Sequence, residues 1–281
     1  MRVVYLTPDN VLSYIGFIPA DVADHIGRIF IQGIIVTADD KPCAGMIWEI
    51  QNVMNEKAAE SRIIWIAVED DDAAVLLFEE YRDCIVLDEV KRSFFSIPAS
   101  VVSREKDILL ANGFTVELSE GDEITASLMQ IADMTVIRKA SENKAIHPLK
   151  EASSEAFSDA TKLMSQNGLT GLCEDLIYLP RSYFENDVSC FFQQGESING
   201  LFLFHLLPSG NLKLMLMAYI GNDYSVLLEM MKRSLLSATE TYSLDTGIVI
   251  DRHNLSALAL GERLLPHDMG RPVYIGCRTE N

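Results

Sequence analysis

Residues 62–81 read RIIWIAVEDDDAAVLLFEEY, and this stretch decides the fold class. The run from Arg62 to Val68 is short, continuous and apolar, which is typical of a strand buried on both faces of a sheet. From Asp72 onward the apolar side chains recur at helical spacing, with acids in the first turn, which predicts a helix. A buried strand that passes directly into a helix indicates a mixed fold of the α/β or α+β class.

The segments around this junction complete one plan. Residues 28–50 hold two β-rich runs joined by the polar, Pro-containing turn at 38–42, which predicts an antiparallel hairpin. RSFFSIPA at 92–99 predicts a further strand, and Ser103 is a cap for a short helix that ends at Gly113. The first half therefore has the predicted order β-β-β-α-β-α-β.

The same order returns in the second half. In chain order it predicts a hairpin at 188–207, a strand at 211–220, a helix at 223–242, a strand at 246–250, a helix at 255–265 and a strand from 272. Aligning Ala74 with Ser225 sets Asp72 on Asp223 and keeps the strand-to-helix junction in register. A chain of 281 residues has the length of two ordinary domains, so we predict a duplicated domain.

The pattern also predicts where the two domains divide. The sequence MQIADMTVIRK changes from helix-like to strand-like near residues 128–137, which gives domains of residues 1–130 and 131–281. Residues 141–185 are mainly helical in pattern and have only a shortened counterpart before Arg28. We therefore expect the first domain to be shortened at its start.

The charge of the chain excludes some classes of partner. It carries 23 basic and 41 acidic side chains, a formal net charge of -18, which repels polyanions and anionic lipid surfaces. The five cysteines are scattered without a CxxC spacing, so neither a disulfide framework nor a metal site is predicted. No signal peptide and no apolar run of about 18 residues is evident. We expect a cytoplasmic protein that binds neither nucleic acid nor membranes.

The order of hairpin, central strand, helix, strand, helix and closing strand resembles the GNAT acetyltransferase fold. The most specific local match is NLSALALGERLL at 254–265, which is similar to the family's asparagine, an alanine three residues on, and the helix that follows. ILLANGF at 108–114 looks like the end of the same motif. The resemblance implies two GNAT-like domains, each with a mixed, mostly antiparallel sheet flanked by helices.

The resemblance also implies a cofactor, acetyl-CoA or another acyl-CoA. Its diphosphate would rest on backbone N–H groups of a glycine-rich turn between the central strand and its helix. In the first domain this turn is 69–72, four acids without a glycine. Two like charges about 4 Å apart repel by roughly 1 kcal/mol in water and by several at a protein surface, so we expect acids that cap the helix and no CoA.

In the second domain the equivalent turn keeps one glycine. The resemblance assigns the cofactor contacts there to these residues: Tyr219, Ile220, Gly221, Asn222 and Asn254. An ordinary turn capped by Asp223 is the alternative interpretation of this turn, and a helix N-cap is the alternative role of Asn254.

The sequence leaves the catalytic residues unassigned. The family's tyrosine falls seven residues after the motif asparagine. That position is Gly261 in the second domain and Leu109 in the first, and neither side chain can donate a proton.

Other residues are candidates for a catalytic base. Asp251 with His253 could form a base and its orienting group, or both could be surface residues at a strand end. Glu49 could be a base in a cleft, or an exposed carboxylate. His205 has no partner at metal-ligand spacing and is expected to be half-buried and hydrogen-bonded.

Two functions remain open at this point. The first is an acyl-CoA-dependent N-acyltransferase homologue that works from the second domain on a small-molecule or peptide amine. The alternative is a non-catalytic GNAT-fold scaffold that binds a small ligand or a protein partner, because the cofactor turn and the tyrosine motifs are degenerate. A weaker third possibility is a cationic ligand, such as a polyamine or a basic peptide, drawn to the acids at 69–72.

Overall fold

The computed structural model describes residues 1–52, 58–99, 104–119, 123–134, 143–251 and 272–280. The chain divides into two compact units. Unit 1 consists of residues 1–122 and 269–281, and unit 2 of residues 123–268.

Both halves of the chain contain strands and helices. The strands are β1 (Arg2–Tyr5), β2 (Ile31–Ala38), β3 (Lys41–Gln51), β4 (Glu60–Val68), β5 (Arg92–Pro98), β6 (Glu117–Ser119), β7 (Glu123–Ser127), β8 (Ile146–Pro148), β9 (Cys190–Gln194), β10 (Ser197–Leu206), β11 (Leu212–Tyr219), β12 (Gly247–Asp251) and β13 (Val273–Thr279). The α-helices are α1 (Ala20–Ala23), α2 (Asp71–Leu87), α3 (Arg104–Ala111), α4 (Leu128–Ala132), α5 (Ser154–Gln166) and α6 (Ser225–Thr241). The helix predicted at 255–265 lies outside the described residues.

Unit 1 is built on a seven-stranded sheet in the order β1-β2-β3-β4-β5-β13-β6. All neighbouring strands are antiparallel except β4 and β5, which are parallel. Helix α2 buries one face against this sheet, and its buried side chains follow the expected helical spacing. They are Ala73, Ala74, Leu77, Phe78, Tyr81 and Ile85. A smaller apolar cluster that includes Val11, Ile18 and Ile35 forms a second part of the core.

Unit 2 is built on a six-stranded sheet in the order β7-β12-β11-β10-β9-β8. Here β11 and β12 are the parallel pair, and the other neighbours are antiparallel. Side chains of α6 and of α5 belong to two different apolar clusters, each of which also holds residues of β10 and β11. Two mixed, mostly antiparallel sheets flanked by helices confirm the predicted fold class.

Two strands, β7 and β13, do not follow the predicted division into domains of residues 1–130 and 131–281. Strand β13, from the end of the chain, lies between β5 and β6 in the sheet of unit 1, where it pairs with β5 from Val273 opposite Pro98 to Thr279 opposite Arg92. Strand β7, which follows β6 in sequence, pairs instead with β12 of unit 2. The alternation of apolar residues predicts that a segment is a strand, but it does not say which sheet edge that strand joins.

Two features hold β13 in its place. Gly276 allows the strand to lie against Thr115, because a Cβ at position 276 would overlap the Thr115 carbonyl oxygen. Arg278 donates a hydrogen bond to the carbonyl of Asn112 at 3.0 Å, forms an ion pair with Glu280 at 2.8 Å, and lies 4.6 Å from the ring centre of Phe114. Strand β13 is therefore an integral strand of the sheet of unit 1.

No helix in the described part of the chain has the length and apolar character needed to cross a bilayer. The same residues contain no group of three or more His, Cys, Asp or Glu side chains placed to hold a metal ion.

Candidate functional site

The parallel strands of unit 1 pair along only part of their length. Pairing of β4 with β5 runs from Glu60 opposite Arg92 to Ile63 opposite Phe95, and β4 then continues to Val68 paired only with β3. We call the space between residues 64–68 of β4 and the end of β5 the gap of unit 1. Backbone N–H and C=O groups that face a gap have lost their strand partner, so the gap can accept another hydrogen-bonding chain.

Unit 2 repeats this arrangement with an earlier separation. Strands β11 and β12 pair only at Leu212 opposite Ile248 and at Lys213 opposite Val249. Beyond these two pairs, residues 214–219 of β11 have no strand beside them on that edge within the described residues. We call this space the gap of unit 2. It begins one residue earlier than the gap of unit 1 in the register of the repeat.

Each gap starts beside a β-bulge in the central strand. In β4 the extra residue is Ile64, and in β11 it is Met215, which are equivalent positions when Ala74 is set on Ser225. A bulge bends the strand and increases its local twist, which explains why the parallel partner separates here. In unit 2 the carbonyl of Met215 accepts a hydrogen bond from the N–H of Leu172 at 3.0 Å. Gly171, at φ +62°, permits this contact because a Cβ there would lie 2.5 Å from the same carbonyl oxygen.

The gap of unit 1 is occupied by the chain's own side chain. Glu105, in the first turn of α3, accepts a hydrogen bond from the N–H of Val68 at 3.3 Å, and this glutamate is only 8% exposed. Its neighbour Arg104 forms an ion pair with Asp71 at 2.6 Å, which joins the start of α3 to the start of α2. The acceptor that a bound ligand would offer to Val68 is thus supplied internally.

The acidic turn of unit 1 is used to begin a helix, as predicted. Asp70 is the N-cap of α2, and its carboxylate accepts a hydrogen bond from the N–H of Ala73 at 2.9 Å. Asp71 and Asp72 follow in the first turn, where the helix dipole favours negative charge. The helix N-terminus therefore already has its anionic partners.

A buried hydroxyl also ties the paired ends of the two strands together in unit 1. The Tyr81 hydroxyl lies 2.8 Å from Ser61 Oγ on β4 and 2.8 Å from Ser93 Oγ on β5. Burial raises the pKa of Tyr81 to about 12. The repeat places Leu212 where unit 1 has Ser61, and Ile248, which pairs with Leu212, takes the place of Ser93.

The turn of unit 2 brings together four of the predicted cofactor residues, Tyr219 to Asn222. The N–H of Ile220 donates to the carbonyl of Asn199 at 2.8 Å. Asp223 accepts a hydrogen bond from the N–H of Ser225 at 3.0 Å. A hydrogen bond from the Ser225 side chain, together with this backbone one, lowers the pKa of the Asp223 carboxyl. No acid cluster is present here. Asn254, the fifth predicted contact, lies outside the described residues, and the cofactor assignment stays a prediction.

Gly221 has a structural reason to be glycine. A Cβ at this position would overlap the phenol ring of Tyr219. That ring is half-buried and packs edge-on against Phe192, with ring centres 5.5 Å apart. The glycine is therefore explained by the packing of Tyr219, and its presence alone does not identify an anion cradle.

The candidate catalytic residues take up mainly structural positions. Glu49 is only 4% exposed, which contradicts the exposed alternative, and it pairs with Arg28 at 3.4 Å and accepts from the Gln51 amide at 3.0 Å. His205 is half-buried as expected; its Nδ1 lies 2.7 Å from the Tyr183 carbonyl oxygen, and its ring stacks on Tyr183. His253 and Gly261 lie outside the described residues, and the Asp251 side chain is likewise not described.

Sequence reasoning missed Glu105 and both bulges. A glutamate in the first turn of a short helix has the ordinary meaning of a favourable helix start, so nothing in its surroundings signals a role in the gap. A bulge adds one residue without altering the apolar character of the strand.

Two cavities of unit 2, of about 330 and 320 Å³, border α5, and their lining includes no residue of β11 or β12.

The chain matches no protein-family model and no curated protein sequence. Solved structures match along its length. A tandem GNAT protein from the clavulanic acid biosynthesis pathway, without acetyl-CoA, has a TM-score of 0.62 at 8% identity and covers 99% of this chain and 98% of its own. The fold of this chain is a tandem GNAT-type fold.

Two further structures support this assignment of the fold. The glucosamine N-acetyltransferase region of a fungal multi-domain β-N-acetylglucosaminidase has a TM-score of 0.60 at 9% identity, with 99% of this chain and 38% of that chain covered. An acetyltransferase candidate from Pyrococcus horikoshii has a TM-score of 0.52 at 10% identity, with 100% and 89% covered. The predicted resemblance to GNAT proteins is confirmed at the level of the fold.

Proposed function

We propose that unit 2 binds an acyl-CoA in its gap and transfers the acyl group to an amine, while unit 1 serves as a scaffold. The observation that carries this proposal is the early separation of β11 and β12 after Lys213, beside the bulge at Met215. The amide groups of a pantetheine arm can pair with a strand edge in the way that a further strand would.

The contrast with unit 1 supports this assignment. In unit 1 the N–H of Val68 already has Glu105 as its acceptor, and Asp70 and Asp71 surround the helix start with negative charge. A diphosphate placed there would meet carboxylates, whose repulsion amounts to about 1 kcal/mol per charge pair in water and more at a surface. In unit 2 the turn carries one acid, Asp223, at the start of α6.

An amine is the acceptor that best suits the charge of the chain. With a net charge of -18, the protein attracts cationic amines and repels nucleic acid and anionic lipid. We therefore propose a small-molecule or peptide amine as the acceptor, with acetyl-CoA or another acyl-CoA as the donor.

A non-catalytic scaffold is the second candidate. It is favoured by the ring of Tyr219, which packs over Gly221, and by the absence of any basic residue from positions 219–224. In this case the gap of unit 2 would hold a ligand or partner segment other than CoA, and no acyl transfer would occur.

Calorimetric titration of the whole chain with acetyl-CoA separates the two candidates. The transferase proposal expects binding at millimolar cofactor or below, and at least a fivefold weakening by Asn222→Asp, because the added charge would lie beside the diphosphate. Gln194→Glu adds the same charge at the exposed end of β9 and should leave the affinity unchanged. Absence of binding heat at 5 mM acetyl-CoA, together with absence of turnover, would leave only the scaffold.

A further inference from the structure

One cavity of unit 2 lies away from the gap and has an unusual lining. It is open to solvent on one side, has a volume of about 320 Å³, and is lined by one side of α5, from Ser154 to Thr161, and by the segment 177–182. This volume is within the range that small-molecule sites occupy. Because no residue of β11 or β12 lines it, a ligand here would be separate from the proposed acyl-CoA site.

The charge of this lining is opposite to that of the chain as a whole. Arg181 is the one charged residue among those that line the cavity, and no carboxylate accompanies it. The cavity on the other side of α5 has the reverse character, because Glu155, Asp159 and Glu196 line it without a basic residue. The chain as a whole has 41 acidic and 23 basic side chains. A cavity lined by a guanidinium and by no carboxylate therefore favours an anionic ligand.

The guanidinium of Arg181 is held in position by the backbone. One of its N–H groups donates to the carbonyl of Ala152, just before α5 begins. The residue itself starts a turn of 3-10 helix that follows Pro180, whose ring restricts the backbone there. A guanidinium has five N–H donors, so one anchoring bond leaves others to form the paired hydrogen bonds that suit a carboxylate.

The remaining lining supplies hydroxyl donors and an apolar wall. Ser154 and Ser158 lie one helical turn apart on α5, and both line the cavity. Phe157, only 2% exposed, forms the floor together with Leu179. Tyr178 is 51% exposed at the rim, where its ring can cover the body of a ligand.

We propose that this cavity binds a small carboxylate with an apolar body, of the class of arylalkanoic acids. The carboxylate pairs with Arg181 and receives hydrogen bonds from the serines of α5, while the hydrocarbon part contacts Phe157 and Leu179. This site does not depend on acyl-CoA binding, so its test is independent of the proposed function.

Phenylacetate is a suitable probe, observed by two-dimensional amide NMR of the whole chain. We expect saturable shifts confined to residues 154–161 and 177–182, with a dissociation constant in the millimolar range. Phenylacetamide has the same shape without the charge, and phenethylamine has the opposite charge; both should leave these resonances unchanged at the same concentration.

Two variants at position 181 complete the test. Arg181→Gln should weaken phenylacetate binding about tenfold or more, because it removes charge-assisted hydrogen bonds, whereas Arg181→Lys keeps the charge and should retain part of the affinity. No saturation by 20 mM phenylacetate in the unmodified chain, or an equal response to phenylacetamide, would overturn the proposal. If Arg181→Gln disturbs the fold, the comparison of phenylacetate with phenylacetamide on the unmodified chain and on Arg181→Lys decides the question.

Discussion

The gap of unit 1 and the gap of unit 2 lie beside bulges at equivalent positions, Ile64 and Met215, but the gap of unit 2 begins one residue earlier. Unit 1 keeps its parallel strands paired for four residue pairs, and unit 2 for two. In unit 1 the chain's own carboxylate, Glu105, then accepts the hydrogen bond of the Val68 N–H on this strand edge. The difference indicates that the fold creates an unsatisfied strand edge in each unit, and that side chains decide whether a ligand can use it.

Polar groups near the paired ends of β4 and β5 hold the elements of unit 1 together. The hydroxyl of Tyr81 links β4 to β5 through two serine hydroxyls, and the ion pair of Arg104 with Asp71 links α3 to α2. In unit 2 the first pair, Leu212 with Ile248, is apolar. In the second pair Lys213 lies opposite Val249 and forms an ion pair with Glu123 at 3.6 Å. Each prediction below alters one part of this comparison.

Removal of β13 should have the largest effect. Deletion of residues 272–281 takes a strand out of the sheet of unit 1, which leaves β6 without a neighbour and β5 paired only with β4, so we expect unit 1 to lose its fold. Amide hydrogen exchange should then show unprotected amides in β2 to β5, while β9 to β11 of unit 2 stay protected. Deletion of residue 281 alone is the control. Protected β4 and β5 amides in the longer deletion would contradict the assignment of β13 to unit 1.

The buried hydroxyl of Tyr81 should contribute next. Tyr81→Phe leaves the hydroxyls of Ser61 and Ser93 buried without their shared partner, at a cost of about 1 to 3 kcal/mol in the free energy of unfolding. Tyr224→Phe, at a side chain that is 79% exposed, is the matched control and should change nothing. Equal urea midpoints for the two variants would contradict a role for this hydroxyl in holding the paired ends of β4 and β5 together.

The raised pKa of Tyr81, about 12 in the folded protein, adds a dependence on pH. Because the unfolded chain releases this proton near pH 10 and the folded chain retains it, the free energy of unfolding should fall as pH rises from 10 to 12. The loss amounts to roughly 2 to 3 kcal/mol over this window and is absent below it. Unfolding curves of the unmodified chain and of Tyr81→Phe should converge at high pH, and parallel curves would be the contrary result.

Glu105→Ala should open the gap of unit 1 without making it a cofactor site. The N–H of Val68 loses its acceptor, which we expect to cost about 1 to 2 kcal/mol and to accelerate exchange of that amide. Glu105→Gln retains a carbonyl oxygen and should lie close to the unmodified chain. Because Asp70 and Asp71 remain, neither variant should gain affinity for acetyl-CoA at this site. Newly acquired acetyl-CoA binding in Glu105→Ala would mean that this carboxylate alone prevents cofactor binding in the gap of unit 1.

The ion pair of Arg104 with Asp71 should have the smallest effect. Both side chains are substantially exposed, so Asp71→Asn should change the free energy of unfolding by less than about 1 kcal/mol, and by less again in high salt. Asp72→Asn, one position on, serves as the control. A salt-independent loss of several kcal/mol from Asp71→Asn would show that this contact is buried in solution.

Much of unit 1 could be predicted from local patterns. The helical spacing of apolar residues after Asp72 predicted helix α2, and the acids ahead of it predicted a capped helix start; the structure confirms both. The hairpin of β2 and β3 was evident from the turn at 38–42. These features depend on residues close in sequence, whose periodicity reflects burial directly.

The candidate site was less predictable because its contacts join distant residues. Glu105 reaches Val68, and Arg278 at the end of the chain reaches Asn112 and Phe114. Neither residue type nor spacing distinguishes these side chains from ordinary helix and strand residues. Glu49 illustrates the same point, because it is buried and paired with Arg28, and its own strand pattern indicates neither.

The sequence by itself determined the two hairpins, the central strands with the helices α2 and α6 that follow them, and the acidic start of α2, because each of these depends on local propensity and periodicity. Only the tertiary structure decided that β13 completes unit 1 and β7 joins unit 2, and that Glu105 occupies one gap. Strand pairing is a choice among competing edges, and a hydrogen bond across a sheet is a matter of three-dimensional distance. The order of apolar and polar residues along the chain determines neither the choice of strand partner nor the distance between such groups.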